Sequence, residues 1–360
     1  MGHSRVNRNH ASTRIRSWIS AIRRPALKRT RGLLDMIGDP VLKLTTFAAA
    51  ALAVAVLVMI AYELVTGARP SFDEFGLGFL IHQRWDVNAN GGNGVFGAAS
   101  FIYGTVITSV LAILIATPLA IAIALFLTEL APKPLRVLLG TLVEMLAAIP
   151  SVVLGLWGII FLGPFVQGTL EPFLRSTLGF IPLFSGTFTN GSSLLTAVLV
   201  LTIMVVPIVA SVTRELFTTV PPELREGALA LGATRWEMVR GVLLPAARPG
   251  IMAAVALGFG RAIGEAIAVT QVIGGGGRAV INTSLFQTGD TLASRIAGQY
   301  QGSTSLFQTS SLIYLAVILL AISLCVNLGA QLLIRPIDLR PRRRRIALDR
   351  LLEIQGMSAD

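Results

Sequence analysis

The sequence predicts an all-α membrane protein with six transmembrane helices. Of its 360 residues, 53% are hydrophobic and only 14% are charged, a balance that soluble domains rarely show. A helix needs about 20 mostly apolar residues to cross the hydrocarbon core of a membrane, and uncharged runs of that length recur along the chain. Because these runs are continuous rather than alternating, they favour helices over the strands of a membrane barrel. The predicted spans lie near 44–65, 101–127, 139–163, 192–213, 250–274 and 311–334.

The basic residues predict the orientation of these spans, because lysine and arginine concentrate in the cytoplasmic segments of membrane proteins. Most of them lie in the N-terminal segment 1–43, in the loop 214–248 and in the tail after 334. We therefore expect both termini to be cytoplasmic. The net charge of +11 then reflects topology and contact with membrane lipid, and no nucleic-acid partner is expected. The outer loops carry only Arg69, Arg84, Arg175, Arg278 and Arg295.

The same pattern divides the chain into three segments. A basic cytoplasmic segment over 1–43 precedes a six-span membrane domain over 44–334, and a basic cytoplasmic tail follows over 335–360. Within the first segment, apolar residues recur at helical spacing between arginines, which predicts a basic helix on the inner membrane surface. A disordered basic tail is the alternative that the sequence leaves open. The recurring apolar residues are Ile15, Trp18, Ile19 and Ile22.

The longest internal loop, 214–248, predicts two short helices set at an angle. Pro221-Pro222 suits a helix start, because proline is tolerated in the first turn, and a helix over Glu223–Leu231 would be broken by Gly232. Thr234 and Glu237 match the capping-box pattern for a second helix start. The sequence therefore predicts a compact helical knob that projects from the membrane.

The spacing within this loop resembles that of the binding-protein-dependent ABC importer permeases. Their signature has Glu-Ala-Ala, a glycine four residues later, and a terminal Leu-Pro. Here Gly227 replaces the first alanine of that signature, and Val242 replaces an isoleucine near its end. In that family the loop forms a coupling helix that docks on the nucleotide-binding subunit, and a plain hairpin capping the bundle is the alternative. The residues that carry the match are Glu226, Gly227, Ala228, Gly232, Leu244 and Pro245.

The chain lacks the phosphate-cradling loop of an ATPase. Such a loop ends in Gly-Lys-Ser/Thr, but none of the lysines, Lys28, Lys43 and Lys133, follows a glycine. We therefore expect the chain not to be an enzyme by itself and to bind no cofactor or metal. ATP and magnesium would be held by a separate ATPase subunit.

Two charges, Arg261 and Glu265, interrupt the fifth predicted span. A charge at the centre of a membrane helix costs about 2.5–3.5 kcal/mol on insertion scales, so it usually faces the bundle interior or a water-filled path. Their i,i+4 spacing would place both side chains on one helix face, where they can pair. We expect Arg261 to offer its forked guanidinium to an anion on the translocation path, with Glu265 holding it in place. A structural ion pair between helices is the alternative, and the two roles are compatible.

The segment around these charges is similar to the signature of phosphate importer permeases, Gly-Arg-Ala-Ile-Gly-Glu-Thr-Met-Ala-Val. Ala266 and Ile267 stand where that signature has threonine and methionine. Further similarity lies at 101–105 and 148–158, and within the family the chain resembles the PstC type more than the PstA type.

The resemblance implies an ABC importer type I permease fold, a prokaryotic cell membrane and a set of partners. These are a PstA-like second permease, two copies of a PstB-like ATPase and an external PstS-like phosphate-binding protein. ATP binding would drive alternating access. Sulfate or molybdate permeases are the nearest rivals, although they carry Phe-Gly after the Gly-Glu that this chain has at 264–265. An ion-coupled secondary transporter is a rival from another class, which would leave the 226–245 spacing without a role.

Overall fold

The structure, a computed structural model, describes residues 33–354 except 90–93, 276–280 and 282, with side chains described for residue 38 and for 40–332. The predicted basic helix, which contains Ile15, Trp18, Ile19 and Ile22, lies outside the described residues. The chain divides into two units, Met1–Ile60 and Ala61–Asp360. In the first unit, helix α1 (Leu33–Phe75) begins, and every side chain of residues 40–60 is exposed.

The second unit is built from helices joined by short loops. α1 ends there in a 3-10 turn, Gly76–Leu80. The helices that follow are α2 (Ala99–Leu130), α3 (Lys133–Ala147), α4 (Ser151–Leu178), α5 (Leu194–Thr219), α6 (Pro222–Ala230), α7 (Arg235–Gly264), α8 (Ile267–Val272), α9 (Leu292–Gln299) and α10 (Leu306–Ile354). π-helical turns lie at the end of α2, twice within α4 and once within α7.

Six helices of the described chain are long and apolar enough to cross a membrane, which confirms the predicted number of spans. They are α1 with its 3-10 turn (Pro40–Leu80), α2, α4, α5, α7 and the first part of α10 (Leu306–Leu332). The mean hydropathy of their most apolar windows ranges from 1.6 to 2.8. The predicted boundaries hold least well in the third and fifth spans.

The third span is displaced from its predicted position at 139–163. The helix breaks at 148–150, and the apolar helix long enough to span is α4. Pro150 explains the break, because proline has no N–H to donate and disfavours helical geometry in the residue before it. α3, on the other side of the break, is a separate amphipathic helix with only Gly140 buried.

The far end of α4 also extends beyond the prediction. The predicted span ends at 163, but the helix continues through the charged residue type at Glu171 to Leu178. The Glu171 side chain is fully buried, and its Oε1 accepts a hydrogen bond of 3.0 Å from the Ser193 hydroxyl. A charged residue type therefore lies inside the packed structure because a neighbouring loop supplies a donor.

α5 is the central helix of the second unit. Within its most apolar stretch, 67% of residues are buried, against at most 28% in the other candidate spans. It packs along a stripe of small side chains on α2, which lets the two helices approach closely and gain dispersion contacts. The stripe consists of Ala112, Ala116, Ala120 and Ala124, all fully buried. α7 joins this core through Ala254 and Ala262.

Candidate functional site

A helical hairpin between α5 and α7, residues 222–238, has the geometry that the loop sequence predicts. α6 ends at Ala230, and Gly232 follows with a φ of 85°. This left-handed conformation costs other residues about 1–2 kcal/mol. The Thr234 hydroxyl then accepts the N–H of Glu237, whose carboxylate accepts the N–H of Thr234. The predicted glycine turn and capping box are both present.

The hairpin presents apolar side chains to its surroundings. Leu231 is 90% exposed and Trp236 is 65% exposed, and Leu224 and Leu229 are about half exposed. Large exposed apolar patches on a protein mark contact surfaces. Sequence reasoning had not singled out Leu231 and Trp236, although apolar residues on both sides of a turn glycine in a polar loop would have been a usable signal.

The residues that carry the loop signature fall into two groups. The exposed members are Glu226, Gly227, Gly232 and Pro245. Ala228 and Leu244 are half-buried and pack against the apolar cluster that lies under the hairpin. The signature therefore combines an outward surface with the contacts that seat the hairpin on the spans.

Arg261 and Glu265 do not form the predicted pair. α7 ends at Gly264, and Glu265 takes an extended conformation with a ψ of 114°. Its Oε1 accepts the backbone N–H of Ala268 at 3.2 Å, so Glu265 caps the short helix α8. The prediction of one continuous span over 250–274, with both charges on one helix face, was wrong because the chain changes direction between them.

Arg261 is exposed near the end of α7. No ion pair with it occurs among the described residues. Two helix breaks, at 148–150 and at 265–266, lie close to each other. They do so because α8 packs against the start of α4, with Gly155 against Ala268. Arg261 therefore lies exposed three residues before the end of α7 at Gly264, next to Ala262, which is buried in the core.

A second arginine, Arg295 on α9, is buried instead. It is 3% exposed, its Nε lies 3.3 Å from Oδ2 of Asp290, and its guanidinium lies over the ring of Phe101 at 4.7 Å. Burial lowers the pKa of Arg295, and the charge of Asp290 opposes that shift. The sequence placed both residues in an outer loop and did not foresee their burial.

The start of α2 is shaped to receive this pair. Gly104 leaves room for the carbonyl oxygen of Asp290, which a Cβ at this position would overlap. The Thr105 hydroxyl accepts the backbone N–H of Leu292 at 2.9 Å. The 101–105 segment, singled out by resemblance alone, therefore has a physical role as the receptor of the Asp290–Arg295 segment.

A cavity of about 700 Å³ lies beside the hairpin, between the ends of α2, α3 and α5. Arginines line it, but each has an acceptor: Arg214 pairs with Glu144, Arg225 pairs with Glu129, and Arg136 donates to a backbone carbonyl. Glu144 and Glu129 balance two of these three charges, and Glu215 also lines the cavity, so it offers an anion little net positive charge. Within the part of the chain that the structure describes, no group of three His, Cys, Asp or Glu side chains is placed to hold a metal ion.

Comparison with known proteins decides the family. Residues 116–338 match the family described as "Binding-protein-dependent transport system inner membrane component". The chain belongs to this family. The matched region begins within α2 and includes the hairpin, Arg261 and most of the core of this permease.

Relatives place the permease within the PstC type. "Phosphate transport system permease protein PstC" of Mesorhizobium japonicum is 43% identical over 305 residues, which cover 84% of this chain and 91% of that protein. The protein of the same name from Pasteurella multocida is 40% identical over 326 residues, covering 90% of this chain and 100% of that protein. "Phosphate transport system permease protein PstC 2" of Mycobacterium tuberculosis is 37% identical over 300 residues, covering 82% and 91%.

Solved structures share the fold of the permease. A crystal structure of a bacterial ABC transporter involved in the import of the acidic polysaccharide alginate matches with a TM-score of 0.55 and 17% identity, covering 84% of this chain and 99% of that chain. A bacterial alginate ABC transporter in complex with an alginate pentasaccharide-bound periplasmic protein gives 0.54 and 17%, covering 85% and 98%. The predicted ABC importer permease fold is confirmed.

Proposed function

We propose that this permease carries inorganic phosphate across the cell membrane as one subunit of an ATP-driven importer. The relatives are named as phosphate transport permeases and match this chain over most of their length, which supports phosphate as the substrate. The exposed Arg261 supports an anionic substrate on physical grounds. Sulfate and molybdate permeases share the loop signature but are not favoured by these relatives.

The observation that carries the anion role is the exposure of Arg261 within a candidate membrane span. An arginine that faced lipid would be costly, by about 2.5–3.5 kcal/mol on insertion scales, so we place it on a water-filled path or at the joint with a second permease. Because no carboxylate in the described structure neutralises it, its guanidinium has donors to offer to an oxyanion. Glu265 contributes by capping α8 and fixing the break beside Arg261.

The hairpin is the proposed docking surface for the ATPase. Its exposed leucines and Trp236 would fill a groove on the nucleotide-binding subunit, and the turn at Gly232 sets the angle between α6 and α7. This assignment places the hairpin and both termini in the cytoplasm, in agreement with the distribution of basic residues. The ATP and magnesium would then be bound by the ATPase and not by this chain.

The remaining partners follow from the family. A PstA-like second permease would complete the path, two PstB-like ATPase subunits would dock on the paired hairpins, and an external PstS-like protein would deliver phosphate. ATP binding would close the ATPase pair and open the path outward, and hydrolysis would return it to the inward-facing state. Alternating access of this kind requires the hairpin to move the spans.

Uptake of radiolabelled phosphate in a strain that lacks its own importer tests the anion role. Arg261→Ala removes a charge-assisted donor, which is worth about 1.5–3 kcal/mol, so uptake should fall at least about tenfold. Arg261→Lys, which keeps the charge without the fork, should fall less. Arg248→Ala, a change at an exposed arginine of the same helix, should leave uptake unchanged.

Two outcomes would overturn this proposal. Normal uptake by Arg261→Ala, with the complex recovered intact from the membrane, would remove Arg261 from the path. Sulfate or molybdate uptake that matches phosphate uptake in the unaltered complex would remove phosphate as the substrate. The first result leaves the family assignment untouched, whereas the second contradicts the substrate directly.

A further inference from the structure

α6, the helix that we propose docks on an ATPase, makes few contacts with the rest of the permease. None of the nine residues of α6 is buried. Only Arg225 and Ala228 are half-buried, and the other seven are exposed. A helix with so little apolar contact depends on the few bonds that its half-buried residues make.

Arg225 makes two bonds, and they reach two different spans. Its Nη1 donates to Oε1 of Glu129 at 2.8 Å, in the last turn of α2. Its Nη2 donates to the backbone carbonyl of Phe217, in the last turn of α5. The side chains of Arg225 and Glu129 are 21% and 15% exposed, so both are partly withdrawn from water and are screened less than a surface pair.

The two spans that Arg225 holds are packed as one body. The buried alanines of α2 lie against Val205 and Val209 of α5. Tight packing of small side chains transmits displacement, because protein interiors deform little. The same cluster includes Ala262, the neighbour of Arg261 on α7. Val255 packs against this cluster and also against the neighbouring cluster on which Ala228 of α6 packs. Packed residues therefore connect α6 to Ala262, next to the proposed anion contact.

We propose that Arg225 is a positioning residue that transmits the movement of α6 to α2 and α5. The proposal rests on the proposed function, because it assumes that an ATPase docks on the hairpin. The forked guanidinium suits this role, since one rigid group holds a side-chain carboxylate and a main-chain carbonyl at once. Through these bonds, a shift of α6 reaches the packed spans and not merely the loop.

The apolar contacts of the hairpin have a different role. Ala228 packs on the cluster that contains Phe217, Met238 and Leu243, which seats the hairpin but gives it no directional bond to α2. Arg136, which also lies at this end of α2, donates to the carbonyls of Thr128 and Ala131 and so closes the last turn of α2 itself. Among the described residues, Arg225 is the side chain of α6 that bonds to the spans.

The complete transport complex, reconstituted in liposomes with the phosphate-binding protein, tests this role through two measurements. The first is the amount of ATPase that is recovered with the permease, which reports docking. The second is the phosphate transported per ATP hydrolysed, which reports transmission and which a purely structural contact would not change. The variants are Arg225→Met, Arg225→Lys, Glu129→Gln and the double variant Arg225→Met/Glu129→Gln.

In Arg225→Met, we expect ATPase recovery to remain similar while the phosphate-to-ATP ratio falls about tenfold, within the range by which single changes alter coupling. Glu129→Gln, which leaves α6 and its docking face unaltered, should lower the ratio by about threefold. The phosphate-to-ATP ratio of Arg225→Lys should lie between that of these two variants and that of the parent. The double variant should be no worse than Arg225→Met, because both changes remove the same bond. Arg240→Met, a matched change at an exposed arginine with no ion pair in the described structure, should change neither measurement.

An unchanged ratio in Arg225→Met and Glu129→Gln, with ATPase recovery intact, would overturn the transmission role. If Arg225→Met fails to assemble, Glu129→Gln decides alone: a lowered ratio supports the role, and a parental ratio contradicts it. A different result would refute the proposed function. If the ATPase never copurifies with the unaltered permease, docking itself is refuted, independently of the role of Arg225.

Discussion

Two arginine–carboxylate pairs lie at opposite ends of α2 and are buried to different depths. Arg295 and Asp290, beside Phe101 at the start of the helix, are 3% and 11% exposed, whereas Arg225 and Glu129, at its end, are 21% and 15% exposed. Both pairs bridge segments that are far apart in the sequence. The 28 residues between Phe101 and Glu129 make about 42 Å of helix, so the two pairs act on separate regions.

The difference in depth indicates a difference in task. The deep pair is enclosed by an aromatic ring, a backbone approach at Gly104 and the cap of α9, so displacing it would expose several buried groups at once. The shallow pair joins an exposed hairpin to the spans and can shift with much less loss of contact. We infer that the deep pair, Arg295–Asp290, holds the segments around the start of α2 in place. The shallow pair, Arg225–Glu129, lies where a movement of the hairpin would reach the spans.

Breaking the deep pair should have the largest effect on stability. Arg295→Met removes the guanidinium that lies 3.3 Å from Asp290, and removing one partner of a buried ion pair costs about 3–5 kcal/mol of unfolding free energy. Denaturant titration of the purified permease in detergent measures this loss. The double variant Asp290→Asn/Arg295→Met should be closer to the parent than Arg295→Met, because neither charge is then left alone.

The comparison between the two pairs fails if breaking the Arg225–Glu129 pair costs more stability than breaking the Arg295–Asp290 pair. An Arg295→Met permease as stable as the parent would show that the Asp290 carboxylate does not depend on Arg295, so the pair would not hold this end of α2 in place. Glu129→Gln is the matched change at the shallow pair. It should cost only about 1 kcal/mol or less, because a partly exposed pair contributes little.

Blocking the outer surface of the hairpin should be the next largest effect. Its cost in stability should be confined to the turn, where any residue other than glycine at the positive φ of Gly232 costs about 1–2 kcal/mol. Gly232→Arg adds a long side chain at a position with no heavy atom within 4 Å of an added Cβ. The side chain would therefore meet a docked partner and not the permease itself. We expect at least about tenfold less ATPase to be recovered with the permease, corresponding to about 1.4 kcal/mol of lost contact. Full recovery would contradict docking at this surface.

The parts of this molecule that could be predicted are those governed by local sequence. The six apolar spans follow from composition over about 20 residues, and the hairpin follows from Gly232 and the Thr234–Glu237 cap, which are close in sequence. The sequence also identified Arg261 as a costly charge within a span. The docking role of the hairpin and the transport role of Arg261 remain predictions.

The parts that could not be predicted depend on contacts between distant residues. Arg295 was counted with the outer loop charges, because nothing near it in sequence shows that Phe101 and Asp290 enclose it. The burial of Glu171 likewise involves a distant residue, Ser193, whose hydroxyl donates to its carboxylate. The pairing of Arg261 with Glu265 failed for a local reason: Gly264 ends α7, and helical spacing does not apply across that end.

The last prediction compares two glycines in or beside the hairpin that have different backbone conformations. An added Cβ meets no heavy atom within 4 Å at either Gly232 or Gly241, but only Gly232 has a positive φ. Gly232→Ala should therefore destabilise the turn by about 1–2 kcal/mol. Gly241→Ala, within α7, should stabilise its helix by about 0.5–1 kcal/mol.

Amide hydrogen exchange is the suitable measurement for these two glycines, because an exposed hairpin opens locally without unfolding the core. Exchange in α6 and at the Thr234–Glu237 cap should become faster in Gly232→Ala and should not become faster in Gly241→Ala. Exchange around Asp290 and Arg295 should be unchanged in both variants, since the deep pair lies at the other end of α2. Equal acceleration at both ends of α2 would show that the hairpin and the deep pair open together, and the separation of a fixed region from a moving one would then be wrong.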